Sequence, residues 1–321
     1  MTKRVSFIIP HKGREEMLRQ TVESIFRLEA DPQDIEVILV TQNESLACLP
    51  QLQQGDVDVH VLYPPSGITI SALRNLGAEK AQGEYLAFLD ADIELSPNWL
   101  TTMLTLLSEK PTRKLVSAMQ VDGRDAPVLE RIRTVLSNAE LDCNVNFLPG
   151  RNLFLSKQTF TQVGGFPEHL VTCEDYYFTD KVHELGELYY SSEAQYVHLG
   201  EDKEYGHMYE KEVWRGQSNL QSIKGRRIPL REIPSFIVPP AMLMCLFLSI
   251  IAFLLQSGGY SLLFLIAALL PVFIYSQRLF QLADKKIPFS AIAKFYVIYF
   301  PARAKGTILG LVKSFSVKEV K

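Results

Sequence analysis

The sequence has little of what several common classes of protein need. Its 321 residues carry 33 Lys and Arg against 36 Asp and Glu, a net charge of −3. No basic surplus is left to neutralise phosphates over an extended surface, which argues against nucleic acid as a main partner. The four cysteines, Cys48, Cys143, Cys173 and Cys245, lie far apart without a CxxC pair and read as reduced structural thiols. The opening MTKRVSFIIP has two basic residues, but the apolar stretch behind them is only about five residues, shorter than a secretory core. The N-terminal part is therefore expected to stay in the cytoplasm. Pro10-His11-Lys12-Gly13-Arg14 is too poor in glycine for the phosphate loop of a nucleotidyltransferase.

What is present in the first half is an alternation of two periods. Val5 to Ile9, Ile35 to Val40, Val57 to Leu62 and Tyr85 to Leu89 are short apolar runs that read as strands. Between them, Leu18, Val22 and Ile25 recur at helical spacing, and Ser71 to Ala81 reads as a helix ending near Gly83. Strands alternating with helices predict an α/β fold with a doubly wound, mostly parallel, Rossmann-like sheet. Ser96-Pro97 reads as the cap and first turn of the next helix. A helical stretch around Leu129, Ile132 and Leu136, a turn at Gly164-Gly165, a strand over Gln195 to Leu199 and an amphipathic helix over Tyr205 to Ser222 complete the part before 226.

The second part is apolar and basic. Phe236 to Leu255 is twenty residues without a charge and Tyr260 to Ser276 is seventeen more. Each approaches the ~20 residues that span ~30 Å of hydrocarbon, so a transmembrane hairpin over 236–255 and 260–276 is expected. Pro229, Pro234 and Pro239-Pro240 punctuate the approach to it. Arg226, Arg227 and Arg231 precede the hairpin, Arg278, Lys285 and Lys286 follow it, and its connecting loop is uncharged. That asymmetry places both ends in the cytoplasm of a cell bearing an inner membrane. A surface helix over 288–315 follows, in which Phe289, Ile292, Tyr296 and Tyr299 share a face and Lys294, Arg303 and Lys305 interrupt it. The expected domains are thus a cytoplasmic catalytic domain, 1–225, and a membrane anchor, 226–321.

Asp90-Ala91-Asp92 directly follows the strand at Tyr85 to Leu89, at the edge where ligands bind in open α/β sheets. A pair of carboxylates there can hold a hard divalent cation whose other positions go to phosphate oxygens and water. Glu174-Asp175 is a second acidic pair, in a position to supply a general base. The competing reading is a capping box, Thr172-x-x-Asp175, with acidic residues favoured in a first helical turn.

VSFIIPHKGREEMLRQTVESI, SALRNLGAEKAQGEYLAFLDADIELSPNWL, PGRNLFLSKQTFTQVGGFPE and the ED at 174 and 175 together resemble a family 2 glycosyltransferase of the GT-A fold, in the order that family has them. The resemblance implies inverting transfer of a sugar from a nucleotide diphosphate, with a UDP-sugar the first expectation; the acidic pair at 174 and 175 and the membrane anchor add the expectation of a hydroxyl acceptor on a glycan or lipid-linked sugar, in surface polysaccharide or glycolipid assembly. It places Asp90 by the nucleoside, Asp92 on Mg2+ or Mn2+ with His198 completing the metal site, and Asp175 as base supported by Glu174. It also places Pro10, Arg14, Arg74 and Asn75 along the nucleotide, and Trp214 and Arg215 by the diphosphate or acceptor. Trp214 and Arg215 read equally as interfacial residues of an amphipathic helix, and His198 as a structural histidine. Thr41-Gln42-Asn43 stands where the family has acidic residues for the base and ribose; the amide of Gln42 can still bond a base edge. Transfer to a polyprenyl phosphate is the alternative, but an anionic acceptor needs no base, and a catalytically inactive membrane scaffold is the non-enzymatic one.

Overall fold

The structure, a computed structural model, describes residues 4–217 and 233–316. It divides into two compact units, residues 1–124 with 137–201, and residues 125–136 with 202–321. The expected boundary at 225/226, together with Arg226, Arg227, Pro229, Arg231 and the 218–222 end of the expected amphipathic helix, lies outside the described residues.

The first unit is built from β1 (Val5–His11), α1 (Glu15–Phe26), β2 (Ile35–Thr41), α2 (Leu49–Leu52), β3 (Asp58–Leu62), α3 (Ile70–Lys80), β4 (Tyr85–Leu89), β5 (Ile93–Leu95), α4 (Trp99–Glu109) and β6 (Arg113–Val121). After α5 (Val128–Ser137) come β7 (Cys143–Val145), β8 (Asn152–Ser156), α6 (Lys157–Val163), α7 (Glu174–His183) and β9 (Glu187–His198). One sheet joins the strands in the order β3-β2-β1-β4-β8-β6-β9-β5, with β7 on β9. The first four are parallel, as the alternating periods predict, whereas β8 enters antiparallel to β4 and β6. β1 and β2 are buried along their whole length, the mark of central strands covered on both faces. On one face Leu18, Val22 and Ile25 of α1 and Trp99 and Met103 of α4 pack on Phe7, Ile9, Val37 and Leu39. On the other, Leu73, Phe166 and Phe178 cover Ile8, Ile38 and Phe88, with the Phe166 and Phe178 rings stacked 4.0 Å apart.

Two local expectations are corrected. Ser96 does not cap α4, which starts at Trp99 behind Asn98. The Ser96 N–H still pairs with Gln195 O at 2.9 Å, and its hydroxyl accepts from Gln195 N and donates to Asn98 Oδ1, so the residue extends the β5–β9 pairing. The strand expected at Gln195 is the end of the longer β9. Its pairing with β6 slips from Ala118↔Ser191 to Met119↔Gln195, and the polar residues in that bulge hide the strand period.

The second unit comprises α5 up to Leu136 with α8 (Tyr205–Gln217), α9 (Ile233–Leu254), α10 (Gly258–Leu282) and α11 (Phe289–Ser316). Helices α9 and α10, of 22 and 25 residues, are long and apolar enough to cross a membrane. Their outer faces present Phe247, Phe253, Leu254, Ile266 and Phe273 to the exterior. Pro234, Pro239 and Pro240 are inside α9, not in a linker. Pro234 falls where a helix N–H has no intrahelical acceptor, whereas Pro239 and Pro240 each remove one i→i−4 bond. Ile292, Phe295, Tyr296 and Phe300 of α11 pack with Met242, Ala268, Val272 and Leu279, while Lys294, Val297, Lys305, Ile308 and Val312 face outward.

Candidate active site

Three elements converge behind β4. Asp90 follows the strand, and its N–H donates to Arg151 O at 3.1 Å. From α3, Arg74 reaches it with Nη2 2.9 Å from Oδ1, and its Nη1 donates to Glu174 Oε1 at 2.9 Å. Arg74 is only 1% exposed and also donates to Gly150 O at 3.2 Å, with its guanidinium 5.0 Å from the Phe166 ring. It therefore fixes Asp90 and the Glu174-Asp175 pair to one another. Desolvation opposes its charge, but Asp90, Glu174 and Asp175 outweigh that and raise its pKa.

The capping box at Thr172 does not form. Cys173 occupies the cap position of α7 with φ 63° and makes no side-chain cap bond. The Asp175 carboxylate is used elsewhere: Oδ2 accepts from Gly150 N at 3.2 Å and Oδ1 from Tyr176 N at 2.9 Å. Burial raises the pKa of Asp175 more than the Gly150 N–H and Arg74 lower it. Burial and then the neighbouring Asp175 charge do the same to Glu174 against the pull of Arg74. A carboxylate held in place by two backbone donors, with its pKa moved toward neutrality, has the properties of a general base.

Asp92 lies at the other end of the same loop and is 5% exposed. Its Oδ2 is 3.0 Å from Arg14 Nη2, and its Oδ1 is 3.5 Å from His198 Nε2 at the end of β9. A guanidinium and an imidazole thus already stand at cation positions around this carboxylate. Burial lowers the His198 pKa, yet its bonds to Asp92 and Glu201 prevail and raise it. Among the described residues no group of three or more His, Cys, Asp and Glu side chains is disposed to hold a metal ion. The donors present fit a hard divalent cation bound by one or two protein ligands and completed by diphosphate oxygens and water.

The remaining expected residues have defined places. Pro10 pairs with Val40 beyond the last β1–β4 partner, Ile8↔Phe88, where its missing N–H costs no ladder bond on that side. Gln42 Nε2 donates to Ile68 O at 2.9 Å, which leaves its oxygen as the end that can accept. Asn75 clamps the segment after α6 through Phe166 N and Phe166 O, at 2.8 and 2.9 Å. Trp214, 52% exposed, and Arg215, bonded to Glu212 Oε1 at 2.7 Å, lie on α8 in the second unit. Sequence reasoning assigned no role to Gly150, Arg151 or Glu201. The first two stand in the PGRN stretch quoted for the resemblance, and Glu201 is three residues from His198, so a spacing signal existed for each.

A mixed sheet with an Asp-x-Asp loop behind β4 and a buried arginine tying it to a second acidic pair defines a glycosyltransferase of the GT-A fold. Residues 6–163 match the model of glycosyl transferase family 2, and this part of the chain belongs to that family. An uncharacterized glycosyltransferase of Haemophilus influenzae is 24% identical over 65% of this chain and 85% of its own length. The O-antigen biosynthesis protein RfbC of Myxococcus xanthus is 34% identical over 32% of this chain and 8% of its own length. Among solved structures, the mannosyltransferase PcManGT of Pyrobaculum calidifontis, in complex with GDP-Man and Mn2+, superposes with a TM-score of 0.63 at 16% identity, covering 96% of this chain and 88% of that one.

Proposed function

We propose that the enzyme is an inverting, metal-dependent glycosyltransferase that moves a sugar from a nucleotide diphosphate to a hydroxyl acceptor, on a glycan or lipid-linked sugar in surface polysaccharide or glycolipid assembly. The observation that carries this reading is Asp175, held by Gly150 N and Tyr176 N with its pKa raised by burial. Its carboxylate takes the acceptor O–H proton as that oxygen bonds the anomeric carbon and the bond from that carbon to the diphosphate oxygen breaks. Glu174, locked to Arg74, holds the start of α7 in register with Asp90. A bound Mg2+ or Mn2+ supplies charge neutralisation at the diphosphate leaving group, and Asp92 with His198 would hold it. Asp90, Pro10, Arg14, Asn75 and the Gln42 oxygen line the nucleotide. Uracil and guanine both offer an N–H to Gln42; a UDP-sugar is the first candidate.

The first domain works in the cytoplasm and α9 and α10 cross the inner membrane, with α11 along its surface. The basic residues on both sides of the hairpin and its uncharged loop support that orientation. The test is hydrolysis of a panel of UDP- and GDP-sugars by detergent-purified protein with Mg2+ or Mn2+. One donor cleaved only with metal, and not by Asp92→Ala, is the expected result; a panel neither bound nor cleaved would sink the reading.

A further inference from the structure

The turn that closes β9 is packed directly on Asp92. Leu199 N donates to Asp92 O at 2.8 Å, and a Cβ on Gly200 would come within 2.2 Å of Asp92 Oδ2. Glu201 N then donates to His198 O at 3.2 Å, which brings the Glu201 carboxylate to the far side of the imidazole, with Oε2 3.1 Å from Nδ1. Glu201 is itself fixed from two other elements: Gln120 Nε2 on β6 donates to Oε2 at 3.1 Å, and Arg151 Nη1 lies 3.7 Å away. Arg151 is anchored in turn to the Tyr196 hydroxyl at 3.0 Å and Ser137 Oγ at 2.9 Å. Two groups therefore compete for Nδ1. The Glu201 carboxylate requires a proton there, whereas Arg151 Nη1, 3.4 Å from the same nitrogen, would donate to a bare lone pair.

We infer that Glu201 is a positioning residue that settles this competition: by accepting from Nδ1–H it leaves Nε2, the nitrogen facing Asp92, as the one whose lone pair is directed to bind a divalent cation. A carboxylate on the second nitrogen of a metal-binding imidazole fixes its tautomer and strengthens it as a ligand. Without Glu201, Arg151 donates to Nδ1, the proton of the neutral ring moves to Nε2, and the lone pair needed beside Asp92 is lost. The inference rests on the metal reading proposed above.

The test is Mn2+ affinity by electron paramagnetic resonance on the full chain in detergent, with UDP or GDP present, for wild type, Glu201→Ala and Glu201→Gln. Wild type should bind, Glu201→Ala should bind about 10–100-fold more weakly, and the amide, a poorer acceptor, should fall between. The 15N shifts of the His198 ring should show the neutral ring moving to the Nε2–H tautomer in Glu201→Ala, which a merely structural role would not produce. If Glu201→Ala loses its cooperative melting, Glu201→Gln carries the comparison. Unchanged Mn2+ affinity in a folded Glu201 variant overturns the inference while leaving the metal reading intact. A wild type that binds no Mn2+ with either nucleotide overturns the metal reading first and this inference with it.

Discussion

Arg74 Nη1 donates to Glu174 Oε1 at 2.9 Å across one hundred residues of sequence, from a side chain that is all but inaccessible. The same guanidinium holds Asp90, so removing it leaves two carboxylates without their cation in a site already crowded with negative charge. Arg74→Ala should cost about 3–5 kcal/mol by chemical denaturation, the range for breaking one partner of a buried ion pair. Arg74→Lys, which keeps the charge but cannot reach both carboxylates and Gly150 O at once, should restore little of it. An unchanged denaturation midpoint in Arg74→Ala would refute the linking role.

Asp175→Asn should lower acceptor transfer by about 100- to 10,000-fold, the usual contribution of a positioned base. Donor hydrolysis without acceptor should fall as well, because the attacking water must lose a proton at the same position. The pH profile follows from the raised pKa values of Glu174 and Asp175. The base works when ionised, so transfer should rise with pH through an apparent pKa above the ordinary carboxylate range, shared by the pair. Stability has the opposite sign: a carboxyl raised in the folded state favours folding fully below its unfolded pKa, and that contribution is lost as pH rises through the folded value. An acid limb at the pKa of a free carboxylate would remove Asp175 from the role.

Much of this site was legible because its residues are local to strong periodic signals. Asp90 and Asp92 follow a five-residue buried strand, and Arg74 sits on a helix with Thr69 as a working cap. What stayed hidden depends on contacts between distant segments. That Arg74 organises carboxylates, which the resemblance does not imply, requires α3, β4 and α7 to converge. Thr172-x-x-Asp175 has nearly the spacing of a cap, and only the approach of Gly150 N shows where that carboxylate goes. β6 and the part of β9 before its bulge escaped because polar residues interrupt their period, and with them the Gln120–Glu201–His198 chain.

In the second unit, Glu212 is nearly inaccessible and faces Arg133, Arg215 and Arg303 at 2.6, 2.7 and 3.5 Å. Burial raises its pKa, but the three arginines outweigh it and bring the value down to about 2. A depressed carboxyl stabilises the fold above its unfolded pKa, and that contribution drains away as pH falls from the ordinary glutamate range toward about 2. Glu212→Leu should therefore destabilise the protein near neutral pH by about 1–3 kcal/mol, since three guanidiniums lose their shared carboxylate while Arg133 keeps its bonds to Asp202. The deficit should shrink as the pH of the denaturation series is lowered; a deficit independent of pH would mean that packing, not charge, sets it.

The α8–α11 crossing gives a prediction in which two rules of thumb disagree in sign. Ala is favoured over Gly inside a helix by about 1 kcal/mol, so Gly306→Ala in α11 would stabilise that helix if it stood alone. A Cβ at 306, however, would come within 2.3 Å of Val213 O and 2.8 Å of Gly216 Cα, both backbone atoms with no rotamer to yield. The helices would have to separate, straining the Arg303–Glu212 pair at 3.5 Å and the Lys305 ammonium over the Tyr209 ring at 5.6 Å. Overpacking of this kind costs about 1–3 kcal/mol, more than the propensity gain. Gly206→Ala, also helical but with nothing within 4 Å of the new methyl, serves as the control and should be neutral or mildly stabilising. Thermal unfolding of the two variants in one detergent reads the difference directly: a lower midpoint for Gly306→Ala alone establishes backbone contact as the basis of the crossing, and equal shifts would reduce both effects to helix propensity.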